Sequence, residues 1–364
     1  RRQRQMCIRD SVGILTSGGD CQALNATMRG LALTLYRNVK DVEIIGFIDG
    51  YKGLMYEKYK KMKPKDFYDI LNVGGSILGN SRCPFKRMRI IENGFDKVKA
   101  MKNTYKKLEL DCLVVLGGNG SIKSANMLSQ EGLNVIALPK TIDNDAWGTD
   151  YTFGYSSATA IATRYLDEIK TTAASHSRVF VIEVMGHKVG HICLSAGIAA
   201  GADVILLPEI PYDIKVVAKK VKETLKNEKN YAIIACAEGA ISEADALMKR
   251  KDYKAKVLAR NGRSVAYEVA DELSQEIDAE IRVSCIGHAQ RGGNPNSYDR
   301  EISTRFGVEG ARLIIKKHYG EYVVLQGNHV THIPLEATAG KLKYVDTEGE
   351  IVQSAKLVGI SFGE

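Results

Sequence analysis

Several things are scarce in this chain, and each scarcity closes a possibility. One tryptophan and seven prolines are spread over 364 residues, and no apolar run reaches the length a bilayer requires. No membrane partner is therefore expected. The seven cysteines form no CxxC pair, no HExxH occurs, and the histidines lack ligand spacing along the chain, which speaks against a zinc module. An odd number of scattered thiols suits a reducing compartment, so a cytoplasmic protein is expected. The basic N-terminus lacks the apolar stretch of a secretory signal. Basic residues elsewhere are dispersed, without an aromatic–basic module, so no nucleic-acid partner is expected.

What is present points to a large mixed protein. The chain is long enough for two domains, and its net charge is +8. Residues 1–11 (RRQRQMCIRDS) supply +3 of that charge and match the in-frame translation of a common transposon-based sequencing adapter. They are expected to be foreign to a gene product whose first strand begins near Val12.

Apolar β-branched runs alternate with segments of helical period. Strands are expected at 12–16, 42–48, 112–116, 135–138, 179–184, 204–207, 231–235, 283–286 and 322–325. Helices are expected at 24–36, 95–108, 121–130, 156–172, 214–227, 264–277 and 302–317. Such alternation implies an α/β protein with two Rossmann-like domains and mainly parallel sheets. The expected boundary lies near Gly154, with residues 12–154 in a first domain, 155–364 in a second, and a return to the first after about 290. The charge-rich segments 58–65 and 250–256 read as solvated surface.

Chemistry is concentrated where strands end. Pro139-Lys140-Thr141-Ile142-Asp143-Asn144-Asp145 follows a buried-strand signal, which places two carboxylates at the sheet edge where α/β proteins bind ligands. One carboxylate can take a proton there while the other helps hold a metal, and Lys140 would attract phosphate. Thr16-Ser17-Gly18-Gly19-Asp20 and Leu116-Gly117-Gly118-Asn119-Gly120-Ser121 both run from strand to helix. Glycines there let backbone N–H groups come close to a phosphate. A third glycine-rich stretch, residues 74–82, ends in Arg82, whose guanidinium could bind phosphate as a fork. The second half contributes Arg178, Glu183-Val184-Met185-Gly186-His187, Glu238, Arg282 and Gly287-His288-Ala289-Gln290-Arg291.

These motifs, in this order from Val12 to Gly363, resemble the phosphofructokinase family, and most resemble its bacterial mixed-substrate branch. The resemblance implies transfer of a phosphoryl group from ATP with Mg²⁺ to the 1-hydroxyl of fructose 6-phosphate, in a cleft between a donor domain and a sugar-phosphate domain. It makes Asp143 the general base, Asp145 its neighbouring carboxylate, and Arg82 the group that balances moving charge. Gly19, Tyr51, Arg82, Cys83, Gly118, Asn119, Gly120 and Ser121 match the donor site. Thr141, Met185, Gly186, His187, Glu238, His288 and Arg291 match the sugar-phosphate pocket. Arg178 and Arg282 match residues that reach the 6-phosphate of a neighbouring subunit, which implies a homodimer or homotetramer with shared sites.

Three positions depart from the family. Asn119 stands where an aspartate usually supports Mg²⁺; its amide oxygen can ligate the ion but brings no charge. His187 replaces a common arginine. Leu33 and its neighbours lack the arginine of the allosterically regulated branch, so ADP or phosphoenolpyruvate control is not expected. Gly120 leaves room for the α-phosphate of ATP, whereas an aspartate there would favour pyrophosphate. Lys140 is more frequent in pyrophosphate users. Pyrophosphate-dependent transfer is therefore the alternative, followed by an impaired sugar-phosphate-binding regulator. A dinucleotide-dependent oxidoreductase is disfavoured, because GxGxxG is missing from the first strand–helix unit.

Overall fold

The computed structural model describes residues 10–338 and 340–364. Most of the adapter-like segment, residues 1–9, lies outside them. Ser11, expected to be foreign, opens the first strand: its N–H donates to Asp111 Oδ2 at 2.8 Å. The strands are β1 (Ser11–Ser17), β2 (Glu43–Phe47), β3 (Tyr59–Met62), β4 (Cys112–Gly117), β5 (Val135–Pro139), β6 (Val179–Val184), β7 (Val204–Leu206), β8 (Ala232–Ala237), β9 (Ile281–Cys285), β10 (Glu321–Gln326) and β11 (His329–Pro334).

The chain forms two compact units. Of the described residues, the first holds 10–141, Ala146–Ser156 and Arg291–Leu342; the second holds Ile142–Asp145, Ser157–Gln290 and Lys343–Glu364. Unit 2 thus includes Ile142–Asp145, upstream of the boundary expected at Gly154, and also the C-terminal segment.

Unit 1 carries a seven-stranded sheet in the order β11-β10-β5-β4-β1-β2-β3. Its central strands are parallel and buried, which explains their richness in Val, Ile and Leu. Each such side chain contributes about 1.5–3 kcal/mol on burial. Helices Leu24–Asn38 and Ser297–Ile315 cross closely, because a Cβ on Gly30 would lie 2.7 Å from Thr304 O. Helix Ser297–Ile315 starts five residues before the sequence reading, where Asn296 Oδ1 accepts the Asp299 N–H at 3.0 Å.

Two strands were not expected. β3 pairs antiparallel with β2 inside the segment read as solvated surface. Tyr59, Lys60 and Lys61 are indeed exposed, since this is an edge strand, and lysine is common there. β11 pairs antiparallel with β10 at the opposite edge.

Unit 2 carries a four-stranded parallel sheet in the order β7-β8-β6-β9. Helix Ile214–Asn227 packs its apolar side on the sheet and is capped by Asp213, whose Oδ1 accepts the Lys215 N–H at 2.8 Å. The other segment read as solvated surface contains a helix, Arg250–Ala259, with no buried residue. Among the described residues, no helix is long and apolar enough to cross a membrane.

Candidate active site

In unit 1 the three phosphate-type motifs leave neighbouring strands. Register pairs Ser17 with Gly117 and Gly117 with Pro139, so β1, β4 and β5 end side by side. The chain runs from β1 to β2 on one side of β1, while β4 lies on the other. That is a topological switch point, where the loops diverge and leave room for a ligand.

The loops are tied together. Lys140 N–H donates to Gly117 O at 3.1 Å, and the buried Lys140 ammonium donates to Gly19 O. Residues 74–82 join the same edge: Gly18 N–H donates to Ser81 O at 3.1 Å, and Asn80 Nδ2 donates to Gly18 O at 2.7 Å. Asn25 anchors the start of that stretch, donating to Val73 O at 2.9 Å and accepting the Ile77 N–H at 2.9 Å. Arg82 therefore emerges exposed next to the first glycine loop. Cys83 is half-buried and packs on the unit 1 core.

Gly118 precedes helix Asn119–Gln130, whose first-turn N–H groups form an anion-binding end. A Cβ on Gly120 would meet no atom within 4 Å. Position 120 therefore has open space in front of it, the property on which the expected preference for ATP rests. Asn119 is half-buried in the first helical turn and Ser121 is buried.

Two expected contacts have other duties. Tyr51 was expected to touch the donor, but its ring is fully buried and its hydroxyl donates to Ser121 O at 2.7 Å. Burial raises its phenol well above the ordinary value. Tyr51 thus holds the helix start from beneath. Arg291, expected in the sugar-phosphate pocket, belongs to unit 1, where its Nη1 donates to Asp20 O at 2.9 Å. A Cβ on Gly19 would lie 2.6 Å from Nη1, so a side chain there would have to displace the Arg291 guanidinium. The buried Arg291 Nε has no hydrogen-bond partner, leaving a donor that an anionic ligand would satisfy. Thr141 is buried, and its carbonyl accepts the Thr152 hydroxyl at 2.7 Å.

Unit 2 gathers the sugar-type residues at the carboxyl edge of its own sheet. Val184 pairs with Ala237, so the loops after β6 and β8 leave together. Glu238 Oε1 accepts N–H groups from Gly186, at 3.1 Å, and from His187. His187 sits at φ +54°, a left-handed backbone that costs a non-glycine residue about 1–2 kcal/mol. Glu238 holds it there, leaving the His187 side chain exposed. Gln290 Oε1 accepts the Met185 N–H at 3.3 Å, and His288 is exposed in the same turn. Asp143 is half-buried, while Asp145 is buried at 6 % exposure.

Lys343 supports the aspartate loop, a role invisible in sequence. Its N–H donates to Asp145 O at 2.9 Å, and its ammonium donates to Asn144 Oδ1 at 3.0 Å. The partners lie about 200 residues apart, and no local motif marks the pairing.

Arg178 and Arg282 lie elsewhere. Arg178 immediately precedes β6, whereas Met185 immediately follows it. A six-residue strand spans about 20 Å. Both arginines pair with Glu280, Arg178 at 2.9 Å, and Arg178 more than Arg282 holds that carboxyl below its usual range.

The Phosphofructokinase family profile matches residues 11–314. An ATP-dependent 6-phosphofructokinase of Spirochaeta thermophila is 46% identical over 97% of both chains. ATP-dependent 6-phosphofructokinase 3 of Bacteroides thetaiotaomicron is 42% identical over 97% of this chain and 99% of its own. The solved phosphofructokinase of Saccharomyces cerevisiae superposes with TM-score 0.79 at 28% identity, covering 91% of this chain; this chain spans only 45% of the yeast one. A pyrophosphate-dependent phosphofructokinase from Nitrosospira multiformis shares the fold, with TM-score 0.79 at 20% identity over 94% of this chain and 88% of its own. By family match and by relatives aligned from end to end, this chain belongs to the phosphofructokinase family.

Proposed function

We propose that this chain transfers the γ-phosphoryl group of ATP to the 1-hydroxyl of fructose 6-phosphate, yielding fructose 1,6-bisphosphate and ADP. The observation that carries this reading is the row of three loops after β1, β4 and β5, with open space at Gly120. Relatives spanning the whole chain bear the name of the ATP-dependent enzyme.

In this reading the donor phosphates take the glycine-loop and helix N–H groups of unit 1, beside the Lys140 charge. Arg82 balances charge on the transferring group. Asp143 takes the hydroxyl proton as the sugar oxygen forms its bond to phosphorus and the bond to ADP breaks. Asp145 fixes the loop that carries Asp143. Mg²⁺ would fit the Asn119 amide oxygen, a hard donor in the half-buried first turn of its helix, together with donor phosphate oxygens. The ion supplies charge neutralisation on those phosphates.

The sugar phosphate is assigned to Met185, Gly186, His187, Glu238 and His288, with Thr141 and Arg291 as further contacts. Arg178 and Arg282, at the opposite end of β6, are assigned to the 6-phosphate bound by a neighbouring copy, in a homodimer or homotetramer. We place the protein in the cytoplasm, consistent with six unbridged cysteines among the described residues.

The test is steady-state kinetics of Asp143→Ser. The expected result is a kcat lower by about 10²–10⁴-fold with a KM for fructose 6-phosphate changed far less. A near-normal kcat would remove Asp143 from the chemistry.

A further inference from the structure

A cluster on the far edge of the unit 1 sheet has the makings of a metal site that the phosphoryl-transfer reading does not use. Glu321 opens β10, and His332 lies on β11. Register pairs Glu321 with Pro334 and Val323 with His332. Directly opposed residues share a face, so Glu321 and His332 are diagonal neighbours on the same side of the hairpin. His318 follows helix Ser297–Ile315 in the turn that leads into β10, and its Nε2 is 3.1 Å from Glu321 Oε1. The two imidazoles meet edge to face, with centroids 5.2 Å apart. One ligand atom from each of His318, Glu321 and His332 lies within 4.8 Å of the others.

Two further observations point to a cation. Glu321 is only 8 % exposed, and its Oε2 is buried without a hydrogen-bond partner. A buried carboxylate oxygen left unmatched is costly, and a bound ion would satisfy it. His332 Nδ1 also lies 3.2 Å from Glu309 Oε1. A carboxylate accepts, so in the neutral imidazole this nitrogen carries the proton and Nε2 keeps its lone pair. A carboxylate behind a histidine is the usual arrangement that orients an imidazole for a metal. Glu309 is itself paired with Arg312 at 3.6 Å, which suits it to orient His332 rather than to join the ligands.

We infer that His318, Glu321 and His332 form a Zn²⁺ site that clips the β10–β11 hairpin to the turn before it. Two imidazoles and one carboxylate suit zinc and disfavour Mg²⁺, which prefers an all-oxygen shell. Ligand atoms of a tetrahedral zinc site lie about 3.4 Å apart, so the cluster closes by little more than an ångström on binding. Water takes the fourth position on the exposed His318 side. The effect is structural: the clip fastens β11, an edge strand, to the body of the sheet. Sequence spacing hides the site, because the two histidines are brought together by a hairpin register rather than by a short motif.

The test titrates the 364-residue chain with Zn²⁺ alone against a chromophoric chelator and follows the melting temperature in parallel. The expected result is one Zn²⁺ per chain at micromolar affinity or tighter, with a rise in Tm of a few degrees. His318→Ala and Glu321→Gln should each weaken that binding by at least about 10-fold, and Glu309→Gln by about 10-fold. His318 is exposed, so its variant should fold as the parent does, which circular dichroism checks. Zinc held by thiols elsewhere would survive all three changes. Parent and His318→Ala chains that bind zinc alike, or a parent that binds none, would overturn the site.

Discussion

The ammonium of Lys140 donates to the carbonyl oxygen of Gly19, joining the loop after β5 to the loop after β1. Lys140 is only 2 % exposed, so its charge acts through a medium much less screening than water. In the proposed reading, a cation fixed in this way raises the affinity of the glycine loops for phosphate and holds their spacing. Lys140→Met keeps the length and loses the charge. The expected outcome is a KM for ATP raised by about 10-fold or more and a stability loss of about 1–3 kcal/mol, since Gly19 O loses a charged donor. ATP kinetics and urea melts measure the two effects.

Position 120 separates stability from donor choice. A side chain there meets open space, and an acidic residue in the first helical turn complements the helix dipole. Gly120→Asp should therefore fold with stability within about 1 kcal/mol of the parent. Its carboxylate would nevertheless repel the α-phosphate of ATP. The expected kcat/KM with ATP falls by at least about 100-fold, a loss of about 3 kcal/mol in transition-state stabilisation. Unchanged ATP kinetics in a well-folded variant would contradict the steric account of donor choice.

His191 predicts an acid-sensitive fold. Burial, aided by the nearby Lys343 charge, lowers its pKa from the ordinary 6.5 to about 4, while its hydrogen bond to Lys343 O at 3.1 Å acts the other way. Between those values the unfolded chain binds a proton that the folded chain refuses, so stability falls as pH drops. The loss should reach about 2 kcal/mol between pH 7 and pH 5. His191→Gln removes that titration. The parent's urea midpoint should fall further between pH 7 and pH 5 than that of His191→Gln; an equal loss in both would clear His191.

Arg178 and Arg282 offer a test of shared sites. Each is expected to raise the KM for fructose 6-phosphate by about 10-fold or more when changed to alanine, because a charged hydrogen bond to phosphate is lost. If the arginines serve a neighbouring copy, mixed oligomers of Asp143→Ser and Arg282→Ala chains should regain activity that neither parent has at low sugar phosphate. No recovery in demonstrably mixed oligomers would show that the arginines do not serve a neighbouring copy.

The parallel core was legible because β1, β4, β5, β6 and β8 are buried almost throughout and read as largely apolar runs. β3 was not legible, since three of its four residues are exposed and two of these are lysines. β11 mixes histidine and threonine with apolar residues at intermediate burial, so no clean alternation marks it. The glycine loops were visible as local strings. The bond from the Tyr51 hydroxyl to Ser121 O was not legible, because the two residues lie 70 positions apart. The same holds for Lys343 and Asn144, and for Arg291 and Asp20, whose pairings depend on tertiary placement alone.

The most direct measurement is formation of fructose 1,6-bisphosphate by the purified chain from fructose 6-phosphate, with Mg²⁺ and either ATP or pyrophosphate as donor. Rapid turnover with ATP and little with pyrophosphate is the expected result. Strong turnover with pyrophosphate and none with ATP, or tight sugar-phosphate binding with no product from either donor, would contradict it.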